Sequence, residues 1–172
     1  LLGHKLSFQS ERGRGSTFTL EVEATDICDV EIFNEAALQM PIMLDASVLV
    51  IDDERAILEG MEKMLKPWGC EVLLAESEDD ALIQLQQYSG DIDIMIVDYR
   101  LRDERLGTDA AAAICQAVSD LHLPVIIVTG DTGPDQLIKV QQAGYHLLHK
   151  PVTAVRIRTL MQNLLRLSGK EF

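Results

Sequence analysis

The sequence has 172 residues, which is room for one ordinary domain and a tail or for two small domains, since single domains usually run to about 100–150 residues. Its 47% hydrophobic and 25% charged residues are typical of a globular protein, and no apolar run approaches the roughly 18 residues that cross a bilayer, so we expect no membrane contact. The net charge of −13 argues against nucleic-acid binding, because Lys and Arg supply affinity for phosphate backbones, and it fits a divalent-cation site or basic partners.

Cysteine usage and the first residues indicate the setting of the chain. Cys28, Cys70 and Cys115 form no CxxC motif and are odd in number, which favours neither a zinc site nor a disulfide framework. We therefore expect a reducing, cytoplasmic setting. The sequence has neither an initiator Met nor the apolar core of a signal peptide, so we expect it to be a piece of a longer chain, whose membrane anchoring stays open.

The first 46 residues carry weak structural signals. After a turn at Gly13 to Gly15, the residues from Ser16 to Glu23 alternate between polar and apolar side chains, which predicts a strand. Residues 24–46 mix acids with scattered apolar residues without a sustained period. We interpret them as a linker that contains one short helix around Asn34 to Gln39.

Five short runs rich in Val and Ile follow, separated by longer segments with helical periodicity. Five alternations of strand and helix predict an α/β fold in which parallel strands, joined by right-handed crossovers, form an open sheet with helices on both faces. Such doubly wound sheets bind ligands at the carboxyl ends of their strands. The predicted strands are Ser47 to Ile51, Glu71 to Ala75, Ile92 to Val97, Pro124 to Val128 and His146 to His149.

Helical patterns fill the segments between these strands. In the first, apolar or small side chains recur at the spacing of one helix face, at Ala56, Ile57, Gly60, Met61, Met64 and Leu65. Ser77 and Asp80 resemble a capping box that opens the second helix, with Asp in place of the usual Glu. We expect the next two helices to begin near Gly107 and Pro134, and the last to run from Thr153 to Leu167.

Polar side chains follow four of the five predicted strands: Asp52 and Asp53, Asp98, Thr129, and Lys150. Since parallel strands end at one edge of the sheet, we expect three carboxylates, a hydroxyl and an ammonium group to converge there. Clustered carboxylates repel one another unless a cation neutralises them, and Mg²⁺ prefers such oxygen ligands and commonly also binds phosphate oxygens. The pattern therefore predicts a Mg²⁺-dependent site for a phosphoryl group.

Taken one at a time, these residues have ordinary structural explanations. An acidic pair after a strand usually caps a helix, Asp98 is explained as a loop residue, Thr129 as the start of a turn and Lys150 as a solvated charge. Only their joint placement at one sheet edge favours the chemical interpretation.

In combination, these motifs resemble the response-regulator receiver domains of two-component signalling. The resemblance covers about residues 47–167 and rests on the acidic pair Asp52-Asp53, on Asp98, on Thr129-Gly130 and on Lys150-Pro151. It implies a receiver domain over residues 47–168, with a flavodoxin-like five-stranded parallel sheet of order 2-1-3-4-5.

The resemblance also implies a role for each site residue. Asp98 would attack the phosphorus of a phosphohistidine and become an acyl phosphate. Asp53, helped by Asp52, would hold Mg²⁺ together with Asp98 and the backbone carbonyl of Arg100. The Thr129 hydroxyl and the Lys150 ammonium would bind the phosphoryl oxygens, an arrangement in which the protein supplies mainly position and charge.

Further family features concern residues beside the site. Gly130 would keep the approach to Asp98 open for a donor histidine. The Lys150-Pro151 bond is expected to be cis.

Two positions depart from the family pattern. The stretch from Tyr99 to Arg102 lacks the Pro that is common there, and Leu147 stands where an aromatic switch residue is frequent. Our hypothesis is that Tyr145 or His146 partly replaces that switch, or that the movement of Thr129 is read differently.

The N-terminal segment resembles the end of a histidine-kinase ATP-binding domain. Its signal is the stretch Gly13-Arg14-Gly15-Ser16-Thr17-Phe18, which resembles the turn before the final strand of that domain. Residues 1–23 would then be a remnant of such a domain, and the parent chain a hybrid sensor histidine kinase. Because the earlier parts of the ATP site are missing here, we expect no nucleotide binding and no kinase activity.

Three classes of function stay in view. The first is a receiver that exchanges phosphate with a histidine kinase or a histidine phosphotransfer domain. Its partner surface would lie near the fourth and fifth strands, and a homodimer is also considered. The second is a receiver-like interaction module that is not phosphorylated. The third is an aspartyl-phosphate phosphatase or a flavin binder. Such a phosphatase would need an Asp at position 100, where this sequence has Arg100, and Asp52-Asp53-Glu54 would repel the phosphate of a flavin cofactor.

Overall fold

The computed structural model describes residues 5–11, 13, 15–21, 43–102, 105–118, 122–130, 140 and 142–169. The chain divides into two compact units, Leu1–Met40 and Pro41–Phe172, which are described separately. The predicted linker helix around Asn34 and the helix start expected near Pro134 lie outside the described residues, but Val140 and Gln142 are described and helical.

The first unit contains a β-hairpin. Strands β1 (Lys5–Glu11) and β2 (Gly15–Glu21) pair antiparallel. Gly13 and Gly15 have φ angles of 83° and 94°, a left-handed conformation that glycine adopts without steric cost and that suits a tight turn. The predicted strand therefore exists, although it begins at Gly15, one residue earlier than expected. The end of the predicted strand, residues 22 and 23, lies outside the described residues.

The second unit is built on a five-stranded parallel sheet. Its spatial order is β4-β3-β5-β6-β7, which is 2-1-3-4-5 when the strands are counted from the start of this unit. The sheet confirms the predicted doubly wound α/β fold. The strands are β3 (Ser47–Ile51), β4 (Glu71–Ala75), β5 (Ile94–Asp98), β6 (Val125–Thr129) and β7 (His146–His149).

Four described helices cover the two faces of this sheet: α1 (Arg55–Leu65), α2 (Glu78–Gln87), α3 (Gly107–Ala117) and α4 (Ala154–Leu167). Alternate residues of each strand point to opposite faces, so the sheet has two apolar cores. One lies under α2 and α3 and includes Leu49, Met95 and Ile127, and the other lies under α1 and α4 and includes Val50, Ile96 and Ile126. No helix in the described part of the chain is long and apolar enough to cross a membrane.

Two strand boundaries differ from the predicted ones. The third predicted strand was expected over Ile92 to Val97 and the fourth over Pro124 to Val128, but both begin and end later. Before β5, the Asp93 amide donates to the Ser47 carbonyl, but the Ser47 amide donates to the Asp93 carboxylate, so a side chain supplies one of the two hydrogen bonds between these residues. Before β6, Pro124 has no N–H to donate. At the other end, strand pairing reaches Asp98 and Thr129, which are the last residues of β5 and β6.

The start of α2 modifies the predicted capping box. Ser77 Oγ accepts a hydrogen bond from the Asp80 amide at 3.1 Å, as expected. The Asp80 carboxylate accepts from the Glu76 amide instead of the Ser77 amide. The last helix begins at Ala154, with Thr153 at its N-cap position.

Candidate functional site

The predicted polar residues meet at the carboxyl edge of the sheet. Asp52 directly follows β3, Asp98 and Thr129 end β5 and β6, and Lys150 directly follows β7. Backbone hydrogen bonds extend the sheet to this edge, because the Asp52 amide donates to Ala75 at 3.2 Å and the Lys150 amide donates to Thr129 at 2.7 Å. The strand ends thus fix the backbone from which each functional side chain projects.

Lys150 connects two of the three carboxylates. Its Nζ lies 2.7 Å from Asp98 Oδ1 and 3.6 Å from Asp52 Oδ2. Partial burial lowers the pKa of Lys150, but its hydrogen bond to Asp98 and the charges of Asp98 and Asp52 outweigh that effect, so the pKa lies above its ordinary value of 10.5. The ammonium group therefore stays charged and neutralises both acids.

Asp52 is the most buried acid of the site, with 4% of its surface exposed. Its Oδ1 accepts a hydrogen bond from the Glu54 amide at 2.9 Å. Burial raises the pKa of Asp52, and the charges of Asp98 and Asp53 raise it further, against the opposing effects of the Glu54 amide and Lys150. A cation placed among these carboxylates would relieve that repulsion.

Asp53 contacts a basic residue that the sequence reasoning did not assign to the site. Arg102 Nη2 donates to the backbone carbonyl of Asp53 at 2.6 Å, and Arg102 Nε lies 3.5 Å from Asp53 Oδ2. The only signal in the sequence was that the stretch ending at Arg102 lacks the Pro that is common there.

Hydrogen bonds hold the backbone that follows Asp98. The Arg100 amide donates to Asp98 Oδ2 at 3.3 Å, and Arg100 forms an isolated bridge with Leu106. The Gly107 amide donates to the carbonyl of Tyr99 at 2.8 Å. Gly107 packs so tightly on the backbone of Asp98 that a Cβ atom there would collide with the Asp98 carbonyl oxygen. These contacts fix the backbone that carries the predicted phosphoacceptor.

A shallow cavity of about 350 Å³ opens beside Asp98. Thr129, which is 3% exposed, and Lys150 both contribute to its wall, so the three residues predicted to handle the phosphoryl group surround one space. Gly130 is exposed at its rim, with nothing within 4 Å of the place where a Cβ atom would be. The full lining is Asp98, Tyr99, Arg100, Thr129, Gly130 and Lys150.

The donor chemistry of the site fits Mg²⁺. Carboxylate and carbonyl oxygens are the ligands this ion prefers, and Asp52, Asp53, Asp98 and the Arg100 carbonyl supply them. Within the described residues, no group of three His, Cys, Asp or Glu side chains is arranged to hold a metal ion. The observed partners of the acids are instead cationic side chains, Lys150 at Asp98 and Arg102 at Asp53. The ligand types therefore fit magnesium, and two basic side chains offset only part of the charge of the three acids.

The residues around Leu147 differ in where they point. Tyr145 and Leu147 are half-buried against the core under α2 and α3, whereas His146 between them is exposed. Burial raises the pKa of Tyr145 above 10.0. Of the two residues considered as a replacement for the aromatic switch, Tyr145 is the one that contacts the core. The bond between Lys150 and Pro151 is cis, as expected.

Comparison with known proteins agrees with this architecture. The family model for the response regulator receiver domain matches residues 48–162. Over 120 residues, 69% of this chain and 22% of the relative, the sequence is 31% identical to the two-component response regulator ARR11 of Arabidopsis thaliana. Over 129 residues it is 30% identical to hybrid signal transduction histidine kinase L of Dictyostelium discoideum, covering 72% of this chain and 8% of that protein.

A solved structure extends the comparison to the fold. The response regulator receiver domain protein from Clostridium thermocellum superposes with a TM-score of 0.63 at 32% sequence identity. The match covers 72% of this chain and 96% of that structure. The shared part is therefore a whole domain of the solved protein, although the chain spans only a small part of the two curated relatives.

Proposed function

The chain belongs to the response regulator receiver domain family of two-component signal transduction, and from this premise we propose that residues 47–168 form an active receiver whose phosphoacceptor is Asp98. The observation that carries the proposal is the 2.7 Å contact between Lys150 Nζ and Asp98 Oδ1. It places a fixed positive charge on the carboxylate that would accept a phosphoryl group, beside the cavity that Thr129 also lines.

The proposed reaction is an in-line transfer to a carboxylate oxygen. An oxygen of Asp98 attacks the phosphorus of a phosphohistidine, the new O–P bond forms as the P–N bond breaks, and the imidazole leaves. Lys150 and the hydroxyl of Thr129 then bind the phosphoryl oxygens, where charge develops. Phosphoryl transfer asks a protein mainly for positioning and charge stabilisation, which these side chains supply.

Magnesium is the proposed cofactor. Asp52, Asp53, Asp98 and the carbonyl of Arg100 would hold it, with Asp98 ending its strand and Asp52 following its own. When bound, the ion supplies positive charge to the phosphoryl oxygens and relieves the repulsion among the acids.

The proposed partners follow from the family. A histidine kinase or a histidine phosphotransfer domain donates or receives the phosphate, in the cytoplasm. Phosphorylation shifts an existing equilibrium of the surface near β6 and β7, which then binds a partner or a second copy of the chain.

For the N-terminal segment we propose a remnant of a histidine-kinase ATP-binding domain over residues 1–23, joined by a linker over residues 24–46. The hairpin β1–β2 supports this assignment, and the similarity to a hybrid kinase supports the proposed kind of parent chain. The parent would be a hybrid sensor histidine kinase, while this chain alone binds no nucleotide. Saturable ATP binding at micromolar concentration in a calorimetric titration would disprove the last statement.

Transfer from a phosphorylated histidine phosphotransfer domain tests the proposed function. When the phosphoryl group of the donor carries a radioactive label, we expect the label to move to the wild-type chain in the presence of Mg²⁺ and not to an Asp98→Asn variant. If no label moves to the wild-type chain from any of several donors, the receiver is not active in phosphotransfer.

The second candidate is a receiver-like module that binds partners without being phosphorylated. The observation in its favour is that basic side chains of the chain itself pair with the acids, Lys150 with Asp98 and Arg102 with Asp53. The two candidates separate on Mg²⁺ binding, which only the active receiver requires.

A further inference from the structure

Arg102 joins the two loops that carry the acidic residues of the site. Asp53 lies in the loop after β3, Arg102 lies in the loop after β5, and these strands are neighbours in the sheet. The guanidinium contacts both the backbone carbonyl of Asp53, at 2.6 Å, and its carboxylate, at 3.5 Å. One side chain therefore binds the backbone and the charged group of the same residue.

The two acids after β3 have different surroundings. Asp52 is 4% exposed, accepts the Glu54 amide and lies near Lys150. The side chain of Asp53 is 25% exposed, and its carboxylate faces Arg102. Asp53 is thus the acid whose charge is balanced from the loop after β5.

We propose that Arg102 is a built-in competitor of the magnesium ion. It neutralises Asp53 when no metal is bound, and its Nε must leave Asp53 Oδ2 when a metal takes that oxygen. The inference rests on the proposed function, since it takes Asp53 as a metal ligand. Two cations at one carboxylate repel each other, so the presence of Arg102 lowers the affinity of the site for Mg²⁺.

The exposure of the two basic residues explains why Arg102 is the one that yields. The side chain of Arg102 is 65% exposed, whereas that of Lys150 is 32% exposed and lies near both the buried Asp52 and Asp98, whose side chain is 11% exposed. An exposed ion pair contributes little, because water solvates the separated charges well. Arg102 can therefore swing into solvent when metal binds, while Lys150 stays at Asp98.

Two substitutions of Arg102 that differ in charge test the proposal. The 172-residue chain is titrated with Mg²⁺, and binding is measured by calorimetry or from amide chemical shifts. Arg102→Gln removes the charge and keeps a shorter polar side chain, and Arg102→Lys keeps the charge. We expect Arg102→Gln to bind Mg²⁺ about two- to fivefold more tightly than wild type and Arg102→Lys to stay near wild type.

Arg105→Gln is the matched control. Arg105 lies in the same loop and is 53% exposed, but its partners are Glu78 and Asp79, which lie outside the site. We expect this variant to change the affinity by less than Arg102→Gln does. An equal gain in Mg²⁺ affinity in both variants would mean that only the net charge of the surface matters. Unchanged or weaker Mg²⁺ binding in Arg102→Gln would mean that Arg102 does not compete with the ion. Either result overturns the proposal.

A second readout follows the side chain itself. The Nε–H resonance of Arg102 should move toward that of a solvated arginine as Mg²⁺ is added, and an unmoved resonance at saturation contradicts the competition. Beryllofluoride labelling of Asp98 in the wild type separates this outcome from a failure of the proposed function. A wild-type chain that binds neither Mg²⁺ nor beryllofluoride refutes both, whereas normal labelling with an unmoved Arg102 refutes the competitor alone.

Discussion

Lys150 Nζ lies 2.7 Å from Asp98 Oδ1, so the residue that follows one strand neutralises the residue that ends another. β6 lies between these two strands and ends in Thr129. The contact depends on the parallel sheet, because residues that are 52 positions apart in the sequence meet only where the strands end together. It links the fold directly to the proposed chemistry.

Replacing Lys150 tests the role of this charge. We predict that Lys150→Met lowers the rate of Asp98 phosphorylation by acetyl phosphate about a hundredfold, because the group that stabilises the developing phosphoryl charge is removed. The control is Lys66→Met, since Lys66 forms an ion pair with Glu62 on the surface of α1. Rates are followed by intact mass over time. A Lys150→Met rate within a factor of three of wild type would exclude this role.

In the absence of metal, the charge of Asp52 is predicted to lower the free energy of unfolding of the chain. Its raised pKa means that the folded chain binds a proton there more readily than the unfolded chain does, so stability falls as the pH rises from 3.8 through the pKa of the folded state. In EDTA near pH 7, Asp52→Asn should therefore raise the Tm by about 2–4 °C, equivalent to about 1 kcal/mol, while Mg²⁺ binding weakens.

The pH dependence supplies the check on this explanation. The difference in Tm between Asp52→Asn and wild type should shrink as the pH is lowered through the pKa of the folded state, since a protonated Asp52 carries no charge. Thermal unfolding followed by circular dichroism at several pH values measures it. A difference that is independent of pH would point to packing instead of charge.

Gly107 is predicted to tolerate no side chain. A Cβ atom would collide with the carbonyl of Asp98 and approach Val97 Cγ1 to 2.9 Å, so Gly107→Ala should destabilise the fold by about 1–3 kcal/mol and disturb Asp98. Gly60→Ala in the exposed part of α1 is the opposite case, because nothing lies within 4 Å of its Cβ position. It should stabilise the fold by about 0.5–1 kcal/mol. Urea unfolding of the two variants compares them, and similar values would contradict the assigned contact.

Tyr145 is predicted to participate in the readout of phosphorylation. It packs on the core beside Leu147, whereas His146 is exposed. The changes in amide chemical shift that beryllofluoride causes in β6 and β7 should be strongly reduced in Tyr145→Ala and kept in His146→Ala. If these changes persist in both variants, a residue other than Tyr145 or His146 responds to the movement of Thr129.

The sequence predicted the fold and the site edge because both depend on local patterns. Alternating strands and helices determine the sheet, and the polar residues after the apolar runs place Asp52, Asp98 and Lys150 at one edge. The strands predicted to start at Ile92 and Pro124 start later. The hydrogen bond of the Asp93 carboxylate and the missing N–H of Pro124 account for this, and a pattern of apolar residues encodes neither.

The contacts that could not be predicted are tertiary. Arg102 reaches Asp53 across 49 positions of sequence through a long, exposed side chain, and no local signal fixes its direction. Gly107 was expected near a helix start, but its close packing on Asp98 depends on how α3 meets β5. Such contacts follow from the assembled sheet and not from either segment alone.

The most direct test of the proposed function is the intact mass of the chain after incubation with Mg²⁺ and acetyl phosphate, measured beside Asp98→Asn. An active receiver predicts a gain of one phosphoryl group in the wild type, lost in EDTA and absent in Asp98→Asn. A wild type that gains no mass, or an Asp98→Asn variant that gains the same mass, would contradict the assignment of Asp98 as the phosphoacceptor.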